Sequence, residues 1–114
     1  MDIDLIKRTV GSVKLLEKLA DEKDRVNILT PAKDLSENAV QLINMAVENN
    51  LSQIAADMRD CVRETIATAK TVLTEGSDQS FEKFKLQLKE ISKVLVNLMI
   101  ELKKRFDQTN VWMN

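Results

Sequence analysis

The chain contains no histidine and one cysteine, Cys61. The first absence removes the commonest general base and the commonest metal ligand. The second leaves zinc without a ligand set and rules out an intramolecular disulfide, so a reducing compartment fits best. Di-iron bundles need inward Glu-x-x-His pairs, which are missing. Glycine occurs twice, at Gly11 and Gly76, and proline once, at Pro31. A glycine-rich phosphate loop is therefore excluded, and few residues remain for the turns of a sheet protein. No apolar run approaches the roughly 20 residues of a membrane span. The start, Met1-Asp2-Ile3-Asp4, lacks the basic flank and apolar core of a signal peptide, so a cytoplasmic location is expected.

What is present is helix-forming. Of the 114 residues, 44% are hydrophobic and 31% charged, enough for one core and its surface. Ala, Leu, Lys, Glu and Met supply much of the chain, and these residues favour helices. The net charge of −1 comes from interspersed acids and bases. Nucleic-acid binding calls for a basic face, and none stands out, so no nucleic-acid partner is expected. The one basic concentration, Lys85, Lys89, Lys93, Lys103, Lys104 and Arg105 with Glu90 and Glu101 among them, reads as a solvated helix surface.

Plotted at 100° per residue, the apolar positions resolve into four stripes. The first helix is expected from about Asp4 to Ala20, with Ile3, Leu5, Ile6, Val10, Val13, Leu16 and Ala20 on one face. For the second, Thr30 is the expected N-cap and Pro31 the first helical residue. Its stripe is Leu35, Ala39, Leu42, Ile43 and Ala46, widened by Val40 and Val47, up to a break at Asn49-Asn50. The third begins between Asn50 and Ser52 and ends at Gly76. It carries Leu51, Ile54, Ala55, Met58, Val62, Ile66, Ala69, Val72 and Leu73, with Thr65 inside the stripe bonded to its own backbone. The fourth, capped by Ser80 or Asp78, carries Phe81, Phe84, Leu88, Ile91, Leu95, Leu98, Leu102 and Phe106. It is expected to run to about Asp107, followed by a short tail over 108–114. Short connections favour antiparallel neighbours, so the expected architecture is all-α, one domain over 1–114, an antiparallel up-down-up-down four-helix bundle.

Catalytic, metal and cofactor sites are not expected. Cys61 lies mid-helix at the stripe edge with no histidine to activate it, where free cysteine behaves as a small hydrophobe. Glu17 falls within the first stripe, and a partly exposed edge accounts for it. The surplus is apolar. Leu15 and Leu19 on the first helix, and Leu86, Val96 and Ile100 on the last, fall outside the main stripes. Leu15, Leu19 and Leu86 are expected to line a groove between those helices. Val96 and Ile100 extend it, and Lys89, Lys93 and Lys103 form a basic rim. Such a strip suits a partner's amphipathic helix carrying acidic residues, self-association, or cover from within the chain. Trp112, the only tryptophan, is either an interface anchor or a plug for the open end of the bundle.

Two stretches carry a likeness. Arg63-Glu64-Thr65-Ile66-Ala67-Thr68-Ala69-Lys70 and Phe81-Glu82-Lys83-Phe84 through Leu88-Lys89-Glu90-Ile91-Ser92 resemble, in texture, four-helix bundles of the vinculin, talin and focal-adhesion-targeting class. The second stretch is similar to the last helix of the actin-binding tail of Abl-type kinases. The resemblance implies an adaptor that docks short amphipathic helices on faces between helices, or binds actin. The strongly basic tail expected of direct filament binding is missing, which favours helix docking. The other expectation for this composition is a homo-oligomeric structural or regulatory protein of microbial or viral origin.

Overall fold

The computed structural model describes the backbone of residues 3–113 and the side chains of residues 3–105. Within that span the chain forms four helices: α1 (Ile3–Asp21), α2 (Leu29–Glu48), α3 (Ser52–Glu75) and α4 (Asp78–Met113). There are no strands among the described residues. Helix α1 packs on α2, α2 on α3, α3 on α4, and α4 back on α1. The molecule measures 55 × 21 × 19 Å. A helix of 36 residues is about 54 Å long at 1.5 Å per residue, so α4 alone spans the long dimension.

The core follows the alternating three- and four-residue spacing of α4. Phe81, Phe84, Leu88, Ile91, Leu95, Leu98 and Leu102 are all buried. The other helices bring Ile6 and Leu16, Leu35 and Leu42, and Met58 and Val72 against this row. Phe106 lies outside the residues whose side chains are described. Two threonines enter the core without an unmet hydrogen bond. Thr9 Oγ1 donates to the Leu5 carbonyl at 2.8 Å, and Thr65 Oγ1 to the Cys61 carbonyl at 2.6 Å. Each satisfies its hydroxyl one turn back along its own helix.

The helix ends differ in part from the sequence expectation. No side chain caps α2; it begins at Leu29, with Ile28 already helical in its backbone, so Thr30 lies inside the first turn. Pro31 fits there because first-turn N–H groups have no intrahelical acceptor. Ser77, rather than Ser80 or Asp78, caps α4: its Oγ accepts the Ser80 N–H at 3.1 Å, and its carbonyl accepts the Phe81 N–H at 3.1 Å. Helix α4 also continues to Met113, past the expected end before residue 108, with no glycine or proline to stop it.

Two helices close with the same pair of bonds. After α1, Asp24 N–H reaches the Leu19 carbonyl at 2.9 Å and Lys23 N–H the Ala20 carbonyl at 3.1 Å. After α2, Leu51 N–H reaches Ala46 at 2.8 Å and Asn50 N–H reaches Val47 at 3.0 Å. This closure requires a left-handed residue, supplied by Lys23 (φ 54) and Asn50 (φ 61). Gly76 (φ 62) does the same after α3, and a Cβ there would lie 2.7 Å from the Arg25 side chain. That side chain donates through Nη2 to the Leu73 carbonyl in the last turn of α3, where a cation also suits the helix dipole.

The burial pattern yields a paired prediction. Leu88→Ala, at a fully buried position, lowers unfolding stability by about 2–5 kcal/mol. Leu86→Ala, at a position 62% exposed, changes it by about 0.5 kcal/mol or less. Denaturant titration followed by far-UV circular dichroism measures both. Equal losses would mean that the α4 seam is misplaced by a fraction of a turn.

Candidate functional site

The seam between α1 and α4 is charged. The cavity there is lined by Glu17, Asp21, Lys85 and Lys89. Lys85 Nζ lies 2.9 Å from Asp21 Oδ1 and 3.4 Å from Glu82 Oε1. Its hydrogen bond to Asp21, with that to Glu82 added, raises the ammonium above its ordinary pKa. At the same end of the molecule Lys23 Nζ pairs with Asp78 Oδ1 at 2.6 Å. The expected apolar groove of Leu15, Leu19 and Leu86 is therefore not found. Two residues along a helix turn a side chain by about 200°. Glu17 and Asp21 face α4, so Leu15 and Leu19 point to the opposite flank of α1, where α2 packs.

The remaining expected site residues scatter. Leu19 is buried, with 8% exposure, and belongs to the core rather than to a binding surface. Leu15, Leu86, Val96 and Ile100 are exposed. Ile100 sits with Asn97 and Glu101 over Asn50, Leu51, Ser52, Gln53 and Ile54, at the start of α3. Lys89 lines the charged α1–α4 cavity, Lys93 pairs with Glu90 at 3.2 Å, and Lys103 is exposed. The expected rim therefore lies along the solvent side of α4, with Lys89 turned toward the α1–α4 seam and Lys93 engaged by Glu90. Trp112 lies outside the residues whose side chains are described.

The continuous apolar surface runs instead between α2 and α3. One cavity, of about 460 Å³, is lined by Ser36, Val40 and Ile43 from α2 and by Arg59, Val62, Arg63, Ile66, Ala67 and Lys70 from α3. A second, toward the start of α2, is lined by Leu29, Ala32, Lys33, Ser36, Ile66, Ala69, Lys70 and Leu73. Ser36, Ile66 and Lys70 are common to both, so the two form one groove. Val40 and Val47, expected to widen the buried stripe of α2, are 57% and 52% exposed. Val62 and Ile66 are only partly buried. Toward the start of α2 the groove is lined by the small side chains of Ala32 and Ala69.

Every charged residue lining this groove is basic: Lys33, Arg59, Arg63 and Lys70. Among the described residues none of the four makes an ion pair. The sequence carried a signal for it in the flanks rather than in the stripes. Arg59, Arg63 and Lys70 share one edge of α3, and Lys33 and Val40 one edge of α2.

Among the described residues, Cys61, Thr65 and Glu17 are not brought together. Thr65 commits its hydroxyl to the Cys61 carbonyl, Gln87 Nε2 donates to that same carbonyl at 3.5 Å, and Glu17 lines the α1–α4 cavity. Among the described residues no group of three or more Cys, Asp or Glu is placed to hold a metal ion, and no helix is long and apolar enough to cross a membrane.

Burial raises the Cys61 thiol above its ordinary pKa, and Glu90, Asp57 and Asp60 add to the shift. The folded chain therefore holds this proton where the unfolded chain has released it. The resulting stabilisation is complete below the unfolded-state pKa and disappears as pH rises through the folded-state value. At about pH 8, iodoacetamide should alkylate Cys61 more slowly in the folded chain than in guanidinium. Equal rates would show a freely ionising thiol. No family model, curated protein or solved structure matches this chain, so the likeness to vinculin-class bundles rests on the texture of its helices alone.

Proposed function

We propose that this chain is a non-catalytic, adaptor-like interaction module that docks an amphipathic helix of a partner protein. The observation that carries this reading is the groove between α2 and α3. Ile66 forms part of its floor, while Val40 and Leu29, 57% and 48% exposed, stand open at its side. A contiguous apolar surface of this kind on a small domain commonly marks a binding site, and a groove between parallel rods admits a third helix. The reading takes the bundle as up-down-up-down and antiparallel. Supporting this, Leu29 and Ala32 of α2 lie by Ala69 and Leu73 of α3, and Val40 and Ile43 by Arg59 and Val62. Asp21 at the end of α1 meets Lys85 near the start of α4, and the start of α3 meets Ile100. A cytoplasmic setting is part of the same reading.

Self-association is the second reading, favoured by the separate exposed positions Leu86, Val96 and Ile100 on the outer side of α4. A homo-oligomeric structural or regulatory protein would use that face. One experiment separates the two. The isotope-labelled chain is titrated with a designed helical peptide of about 16 residues, with a leucine seam and glutamine flanks, while sedimentation equilibrium is followed in parallel. The docking reading expects a monomer whose amide shifts concentrate around Val40, Ile43, Val62 and Ile66. Shifts around Leu15 and Leu86 would move the site to α1 and α4. No shifts, with a dimer that Val96→Asp dissociates, would replace docking by self-association.

A further inference from the structure

The groove carries information about its occupant beyond its apolar floor. Four cations line it and no carboxylate does. Lys33, Arg59, Arg63 and Lys70 are exposed, and among the described residues none is neutralised by an ion pair. The α1–α4 seam is the internal contrast: there Lys85 and Lys89 face Glu17 and Asp21, so the seam carries its own countercharges. The α2–α3 groove leaves its countercharges to something else.

We propose that the α2–α3 groove selects an acidic amphipathic helix, one whose apolar stripe is bordered by Asp or Glu. This rests on the helix-docking reading and adds the partner's charge and length. From Leu29 to Ile43 the groove runs about 21 Å, the rise of about 14 residues, so the partner contributes about four turns. Arg59, Arg63 and Lys70 stand one and then about two turns apart on a single ridge, so carboxylates at matching spacing along one edge of the partner meet them. Lys33 faces the other edge from α2. The apolar floor argues for a helix over a phosphate backbone, which would leave Ile66 and Leu73 uncovered. A second copy docking through its outer α4 face is disfavoured by charge, because Leu86, Val96 and Ile100 are interspersed with exposed Lys89, Lys93 and Lys103. Basic would meet basic.

The test uses the full chain and three fluorescein-labelled peptides of about 16 residues with an identical leucine seam, flanked by Glu, Gln or Lys. Fluorescence anisotropy is read at about 0.05 M and about 0.3 M salt, which brackets strong and weak screening. The Glu-flanked peptide should bind about tenfold tighter than the Gln-flanked one and the Lys-flanked one weakest, with the differences shrinking at high salt. The double substitution Arg59→Glu/Arg63→Glu should reverse the order, and Val40→Asp should weaken all three. All three positions are exposed, and unchanged thermal melts confirm that the variants fold. Equal affinities for the three peptides would overturn the charge selection and leave helix docking standing. Failure of every peptide to bind would overturn both. Phosphatidylserine vesicles that bind the chain and displace the Glu-flanked peptide would overturn the helix in favour of an anionic surface.

Discussion

The continuous apolar row on α4 is the constraint from which the rest follows. Phe81 to Leu102 places a large side chain at alternating three- and four-residue steps. That spacing is the one that keeps a single face of a helix in register with a neighbour. An isolated helix exposing such a row would leave many large side chains in water, each worth about 1.5–3 kcal/mol when buried. Helices α1 and α3 lie on the two sides of α4, and α2 closes the ring by packing on both of them. Even the polar groups conform. The hydroxyls of Thr9 and Thr65 turn back to their own helices, and among the described residues no buried side-chain polar atom lacks a partner.

How much of this is legible in the sequence depends on how local the cause is. The α4 seam is legible because its spacing is uninterrupted, and Gly76 because a left-handed residue is a local demand. Asn50 is nearly as clear, since asparagine tolerates the same conformation. Lys23 in the left-handed region is not legible: a lysine carries no signal for it, and the closing bonds to Leu19 and Ala20 hold it there. The start of α2 misleads for a similar reason. Thr30-Pro31 has the composition of a cap, but the backbone is already helical at Ile28, whose carbonyl accepts the Ala32 N–H at 3.1 Å.

The candidate site is harder to read because it depends on which flanks of neighbouring helices meet. Leu15 and Leu19 lie off the α1 stripe on one flank, while Glu17, at the stripe's edge, and Asp21 mark the other. Only the packing shows that the acidic flank faces α4. Leu19 is then covered, while Leu15 keeps 47% of its surface. Val40 looks like core because it borders the α2 stripe, but it is surface, 57% exposed, on the flank that lines the groove with Ile66 and Ala67. A helical projection locates residues about one axis. It does not say which neighbour occupies which side.

The two seams show why charge and shape take different parts in this molecule. In the α1–α4 seam the solvent-accessible pairs Lys85–Asp21 and Lys23–Asp78 contribute little net stability, as such pairs generally do. Between α2 and α3 the order is reversed. Ala32 and Ala69 line one end of the groove, and Ile66, Val62 and Leu73 along it are only partly buried. The partly buried Ile66 and Val62, the exposed Val40 and the cations without ion pairs among the described residues all leave contacts unmade in the free chain. A bound helix could complete these contacts, and the exposed lysines and arginines would govern which helix arrives more than how tightly it is held.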